Sequence, residues 1–579
     1  MYIHTLIQSM RRFTLLSVML IVLVLPTSMV FGQGTIYGDL EIRNDYYVRD
    51  SLIGASNTAQ YDNLKSSVDA WLTVNYANPE WDFDASVRLD GFLHSNLFNP
   101  GREAYTGFGI GRFHLRKTVN NLEITGGYIY DQLGSGLIFR AYEDRALGID
   151  DALVGVRTDY KISEAFSIKG MAGMRKQRLG MDRSVIAATE LKSFQSFGKE
   201  KDWNMSSGVA AVNRTLDQES MDAIVAIINS YPLDERFLPT YNSYAFSAYN
   251  QLNHKRWGWY LEGAWKSKDL QLVSLTEPLQ LDAGSALFTT VSYAKPGLGA
   301  TLLFKRTDNF QSRSNPLGGE TILNSAINFL PPANRQLSLR LPARYQPASQ
   351  EIREMGLSFD VNWKMNESMS LHGTYSQIHD IGATPGDFIN DMLYARGSIS
   401  GLNSGKAEGA LLFKEIYLDV EWKHSKKWKG LYGMYYTMYN RLFYEGEGLA
   451  QTFVYSPFFR WTNRISRKVS MKYELQYQHT VEDFGQWVYG MVQLNLPPKL
   501  SFAISDMWNL QTGPNVLSVS QEGSESGIHY YSIFMSYTEK QHRLSLNYAK
   551  QVAGIVCTGG VCRYEPAFNG FRVNLVTSF

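Results

Sequence analysis

The sequence predicts an all-β chain, a transmembrane antiparallel up-and-down β-barrel of about 24 strands. Three observations carry this expectation. Strand-like segments with period-two alternation follow one another along the chain. Their connections alternate between tight turns and long, polar, Gly-rich loops. The chain is also rich in aromatics, with 35 Tyr, 30 Phe and 12 Trp. Yet beyond residue 32 no apolar run reaches the ~18 residues that a membrane helix needs. The lipid face of a barrel needs only every second residue apolar, so a mean hydropathy of −0.24 is compatible with a membrane protein.

Residues 1–32 read as a secretory leader. Arg11 and Arg12 precede the apolar run Leu15 to Leu25, and Val30-Phe31-Gly32 supplies a cleavage site before Gln33. No Cys follows the run, which argues against a lipoprotein. The run is too short to be a permanent anchor. Residues 33–579 are then expected to form a single barrel domain. Its net charge falls from +1 for the whole chain to about −1 once the two leader arginines are gone. With no basic stripe and no acidic tail, nucleic acid is not an expected partner.

The elements follow in order. A first strand, Thr35 to Tyr47, is expected alone. Hairpins then pair 68–74 with 81–92, 109–116 with 122–130, 152–160 with 166–174, and 203–212 with 221–228. The next pairs are 244–252 with 257–266, 287–293 with 298–305, 355–363 with 369–375, and 415–422 with 431–439. The last are 453–461 with 469–477, 487–496 with 500–507, and 528–537 with 544–548, before a closing strand at the C-terminus. All tight turns are expected at one end of the barrel. All long connections, including 176–201, 308–354 and 379–411, are expected at the other. Short periplasmic turns and long extracellular loops are the asymmetry that an outer-membrane barrel shows.

Two strands illustrate the alternation. Ile416, Leu418, Val420 and Trp422 oppose Glu415, Tyr417, Asp419 and Glu421. Met471, Tyr473, Leu475 and Tyr477 oppose Lys472, Glu474, Gln476 and Gln478. The polar faces make Glu415, Asp419, Glu421, Lys472, Glu474 and Gln476 candidates for the lumen wall. A soluble half-buried sheet would carry the same residues on its wet face.

Candidate chemistry is sparse. Cys557 and Cys562, in Cys-Thr-Gly-Gly-Val-Cys, are the only cysteines and read as a loop-pinning disulfide in an exported chain. Metal binding there would need further ligands close by. Glu143, Asp144, Asp150 and Asp151 could be imagined around calcium, although a solvated loop or lumen charge is the simpler reading. Gly107-Phe108-Gly109-Ile110-Gly111 lacks the βαβ setting of a nucleotide loop, and alternating glycines on a strand permit curvature or close approach of a plug-like loop. No HExxH, GxSxG or cysteine nucleophile is found, so no enzyme activity and no cofactor is expected.

The final residues, Phe571-Arg-Val-Asn-Leu-Val-Thr-Ser-Phe579, place Phe571, Val573, Leu575, Thr577 and Phe579 on one strand face. This ending resembles the closing strand of bacterial outer-membrane barrels. That resemblance implies an assembly signal in Phe571, Val573, Leu575 and Phe579, read by the barrel assembly machinery, and residence in outer-membrane lipid. The whole mature chain resembles large outer-membrane barrels, especially uncharacterised ones of the Bacteroidota, and the Cys-Thr-Gly-Gly-Val-Cys-Arg segment looks like part of a shared C-terminal pattern there. It departs from TonB-dependent receptors, whose plug precedes the barrel, since Thr35 already begins a strand. It departs from ushers in showing no soluble domains, and from trimeric porins in size. A lumen this wide exceeds what wall side chains alone can fill. The expected function is therefore a channel or transport pore constricted by extracellular loops. The alternative is a non-conducting structural subunit of a secretion or surface-export assembly, with other outer-membrane or surface proteins as partners.

Overall fold

The computed structural model describes residues 30–31, 34–271, 279–318, 325–381, 411–446, 448–481, 485–510, 527–558 and 560–579. The expected leader, apart from Val30–Phe31, and most of the expected 379–411 loop lie outside the described residues. The strands are β1 (Gly34–Tyr47), β2 (Ser66–Asn78), β3 (Phe83–Ser95), β4 (Tyr105–Val119), β5 (Leu122–Ile129) and β6 (Leu153–Lys161). Then come β7 (Phe166–Gln177), β8 (Gly180–Phe197), β9 (Trp203–Thr215), β10 (Asn242–His254), β11 (Trp257–Gln271) and β12 (Gln280–Lys295). They continue with β13 (Leu298–Asp308), β14 (Arg353–Lys364), β15 (Met369–His379), β16 (Leu411–Lys423), β17 (Trp428–Tyr439) and β18 (Thr452–Arg464). The last six are β19 (Ser470–Gln478), β20 (Trp487–Leu496), β21 (Leu500–Asn509), β22 (His529–Glu539), β23 (His542–Gln551) and β24 (Phe568–Ser578).

Each strand pairs antiparallel with its sequence neighbour, and β24 returns to β1 with Asp39 opposite Ser578 and Tyr47 opposite Gly570. The seam ends on a reciprocal backbone pair between Gly38 and Phe579, at 2.9 and 3.0 Å. The result is a closed barrel of 24 strands. Closure leaves no open edge, so the ladder satisfies the wall's backbone groups without water. Side chains sort by parity. On β16, Ile416, Leu418 and Trp422 are exposed on the outside, while Glu415 and Asp419 are buried within. Exposed Trp81, Trp257, Trp363, Trp422 and Trp428 sit in or next to the tight turns, as an interfacial aromatic girdle would.

The tight turns have their own sequence logic. Asn120, Lys255 and Lys540 each open a two-residue turn at positive φ, between 51° and 54°. Such mirror-image turns match the right-handed twist of the flanking strands.

Two expectations fail, and the failures cancel in the strand count. The 176–201 stretch is not a long loop: it holds β8, joined to β7 by the two-residue turn Arg178-Leu179, with Arg178 at φ 52°. So one tight turn lies at the long-loop end, with neither Gly nor Asn to announce it. Conversely, 221–228 is not a strand. It lies in the helix α1 (Gln218–Asn229), capped by Asp217, whose carboxylate accepts the Ser220 N–H at 3.1 Å. Met221, Ile224 and Ile228 recur at helical spacing and pack on Leu216, Leu270 and Leu279.

Candidate functional site

The inner wall from β8 to β12 is built from small residues. Ala188, Ala210, Ala245, Ala264 and Ala286, one on each strand, are all buried. Ala264 and Ala286 are direct register partners. Their short side chains leave depth above the sheet. Leu133, Leu137, Ile138 and Phe139 of the β5–β6 connection fill it, with Phe310, Ile327 and Leu330 of the β13–β14 connection. Fully burying each large side chain contributes roughly 1.5–3 kcal/mol, which holds two loops against the wall rather than in solvent.

Polar anchors fix the position. Leu133 to Gly136 forms a turn, with Gly136 N–H donating to Leu133 O at 2.9 Å. Above it stand two buried wall carboxylates. Glu262 accepts the Ser135 N–H at 2.7 Å and the Tyr260 hydroxyl at 2.6 Å. Glu190 accepts the Gly134 N–H at 3.2 Å and the Tyr249 hydroxyl at 2.7 Å. Gly134 has φ 53°, and a Cβ there would stand 2.6 Å from the Glu262 carboxylate, so only glycine fits. The two entering segments also bind each other, through Arg140 N–H to Ile327 O at 2.8 Å and Phe329 N–H to Gly136 O at 3.0 Å.

The 309–352 segment then reaches a second stretch of wall, on β16, β17 and β19. Arg335 N–H donates to Glu415 at 2.8 Å, Leu341 N–H to Gln476 at 3.0 Å, and the Gln346 amide to the Tyr435 hydroxyl at 3.2 Å. At its base Lys305 and Glu354, both fully buried, pair at 2.5 Å. Further on, Ser349 N–H donates to Gly560 O at 2.9 Å.

A third cluster joins the β5–β6 connection to β1, β3, β4 and β7. Buried Arg88 donates to Asp90 at 2.6 Å, Glu143 at 2.5 Å and Asp150 at 3.0 Å. Glu143 also meets Arg112 and Arg145, and Asp150 meets Tyr130 and Lys176. The bare Gly111 makes room, since a Cβ there would overlap the Asp90 carboxylate at 2.0 Å. Asp144 caps the Ala146 and Leu147 N–H groups instead. Asp151 lies fully buried near Arg175, and burial pushes its carboxyl up to about 7. The acidic run is thus engaged by arginines and backbone, and among the described residues no cluster of His, Cys, Asp and Glu could hold a metal.

A family model described as a family of unknown function, DUF6029, matches residues 10–579. The chain belongs to this family. A search of curated proteins finds no match. Among solved structures, the siderophore receptor PirA from Pseudomonas aeruginosa aligns at 10% identity and TM-score 0.39, covering 94% of this chain and 80% of that one. The P pilus usher PapC translocation pore aligns at 9% and 0.43, covering 94% and 99%. The copper transporter OprC aligns at 9% and 0.41, covering 95% and 81%.

In this DUF6029 chain the six candidate wall residues do not form one site. Glu415 is buried, bonded to Arg335 N–H, Ser376 and Tyr435. Asp419 accepts from the Tyr417 hydroxyl at 2.5 Å. Glu474 takes Arg460 through two bonds, at 2.8 and 2.9 Å, and the Gln476 amide at 2.7 Å, with Lys472 at 3.6 Å. Glu421 stands apart, paired with Lys429 at 2.6 Å toward the tight-turn end. Cys557 and Cys562 are opposite residues of a two-stranded hairpin in the β23–β24 connection. Phe571 is exposed on the outside, and the Phe579 ring lies over Gly38. The anchors Glu190, Glu262 and Arg88 escaped the sequence reading. Their only local signal was a charge at an inward position beside a run of small residues.

Proposed function

We propose that this DUF6029 protein is an outer-membrane transport barrel, a channel or transport pore constricted by its own 130–152 and 309–352 segments. The observation that carries the reading is that 309–352 is bonded to two separate stretches of wall: Arg175 of β7 and Arg214 of β9 donate to the carbonyls of Ile327 and Arg313, and the Arg335 N–H donates to Glu415 of β16. A merely structural wall has no need of an interior tether that crosses it. In this reading the leader exports the chain, and the outward apolar face sits in outer-membrane lipid. The assembly machinery takes the last strand through Phe571, Val573, Leu575 and Phe579, and the long connections face the exterior. A Cys557–Cys562 disulfide pins the hairpin that Ser349 touches. The wall residues Lys472, Glu474, Gln476, Glu415, Asp419 and Glu421 line the lumen and carry no catalysis.

The test is single-channel conductance in planar bilayers, with and without residues 309–352. Asp308 and Arg353 are register partners, so a short Gly linker closes the gap without moving the strands. Silence in the intact protein that becomes a large conductance on deletion is the expected result. Silence in both, from folded and inserted protein, overturns the pore and leaves a non-conducting assembly subunit.

A further inference from the structure

At the tight-turn end, the β16–β17 and β18–β19 turns lie side by side, and the Arg464 N–H donates to Lys427 O at 2.8 Å. Together they present Lys423, Lys426, Lys427, Arg464, Arg467 and Lys468, all exposed. None of the six forms an ion pair among the described residues. Across 421–429 and 462–470 the one carboxylate is Glu421, and Lys429 already holds it at 2.6 Å. Other rim turns are balanced: Lys255 has Asp202 at 3.5 Å, and Lys499 pairs with Glu539. The positive charge is therefore concentrated on one stretch of the rim.

An apolar groove of about 700 Å³ adjoins this patch on the outside of the wall, running from Trp428 to Asp506. Trp461, Tyr473, Val492 and Ile504 line it as successive register partners, so all four share the outward face. One row further from the turns stand Leu475, Gly490 and Asp506. A Cβ at Gly490 would meet nothing within 4 Å, so the missing side chain is what opens the floor. Asp506 closes the far end, and His529 already pairs with its carboxylate at 2.6 Å. Trp428 follows Lys427 directly, so the near end of the groove opens at the basic turns. The groove is apolar along its length and cationic at one end.

We infer that groove and turns form one site for an anionic phospholipid, with its phosphate at the basic turns and an acyl chain along the groove. Clustered Lys and Arg beside a membrane span attract anionic headgroups. Trp428 and Trp461 suit the boundary between headgroup and chain. Burial of the chain against the bare floor at Gly490 supplies the apolar part of the binding. A soluble phosphate would use the turns and ignore the groove. The inference rests on the outer-membrane reading and stands whether or not anything passes through the lumen.

The test begins with insertion of the full-length protein into phosphatidylcholine vesicles. Native mass spectrometry in detergent then follows titration with phosphatidylglycerol or phosphatidylcholine. Saturable phosphatidylglycerol binding, about tenfold tighter than phosphatidylcholine, is expected. Lys426→Gln, Lys427→Gln, Arg467→Gln and Lys468→Gln together should abolish that preference. These are exposed turn residues, so heat-modifiable gel mobility should show the variant folded. Gly490→Trp fills the groove with the turns untouched and should also weaken phosphatidylglycerol binding. Lys255→Gln with Arg256→Gln, on another rim turn, should change neither affinity. Undiminished binding in the quadruple variant or in Gly490→Trp overturns the inference, as does an equal loss in the Lys255 and Arg256 control. Equal affinity of an inserted barrel for both lipids overturns it too. Failure to enter the vesicles at all would instead overturn the membrane reading beneath it.

Discussion

Glu262 and Ser135 are 127 residues apart in sequence, and the carboxylate of one accepts the backbone N–H of the other at 2.7 Å. This bond ties a wall strand to the turn that enters the lumen. Glu262→Ala removes it together with the Tyr260 bond, leaving a half-buried N–H and a half-buried hydroxyl without this acceptor. Hydrogen bonds to charged groups contribute about 1.5–3 kcal/mol each. Faster amide exchange at 133–136 is expected, with the β11 ladder unchanged. Glu262→Gln, which keeps an acceptor, should show a smaller effect. Equal exchange in all three would mean that the apolar contacts alone seat the turn.

Ala264 tests those apolar contacts. Ala264→Phe fills the depth that Phe139 and its neighbours occupy, and overpacking of this kind costs about 1–3 kcal/mol. The entering segments are more easily displaced than a strand bonded on both sides. The expected outcome is protease cleavage within 130–141 of an otherwise intact, inserted barrel.

Arg88 is the only cation bonded to all three of Asp90, Glu143 and Asp150 among the described residues. Arg88→Met should destabilise by about 3–5 kcal/mol, because buried Asp90 loses its close partner and keeps only Lys176, at 3.9 Å. Thermal unfolding of the barrel at constant detergent checks this. Arg88→Met with Asp90→Asn should recover part of the loss.

Asp151 makes stability depend on pH in a defined direction. Its folded pKa, about 7, lies above the ordinary aspartate value of 3.8. The folded state therefore holds the proton more tightly than the unfolded one. Stability is greatest below the unfolded value and declines as pH rises from about 4 to about 7. Asp151→Asn should flatten this segment of a plot of unfolding midpoint against pH. An unchanged slope would assign the titration to another group.

Closure of the barrel depends on Gly38. A Cβ there would stand 2.3 Å from Thr73 O and 2.6 Å from the Phe579 ring. Gly38→Val should lower the fraction of heat-modifiable, assembled barrel. An undiminished assembled fraction would mean that the neighbouring strands shift enough to take the side chain.

Sequence alone determined the class of fold and the strand parity, because alternation is local: a strand such as 415–422 carries both faces within its own eight residues. The same local logic misplaced β8, whose Val185-Ile186-Ala187-Ala188 run masks the alternation, and took a capped helix at 218–229 for a strand. Only the tertiary structure decided what fills the barrel. Ala188, Ala210, Ala245, Ala264 and Ala286 become a floor because register gathers them into two adjacent rows, Ala188-Val212-Ala245 and Ala210-Ser247-Ala264-Ala286, and Glu190 and Glu262 become anchors because a turn from another part of the chain settles over them. Each of these relationships depends on which distant residues meet, and no periodicity within one segment encodes that.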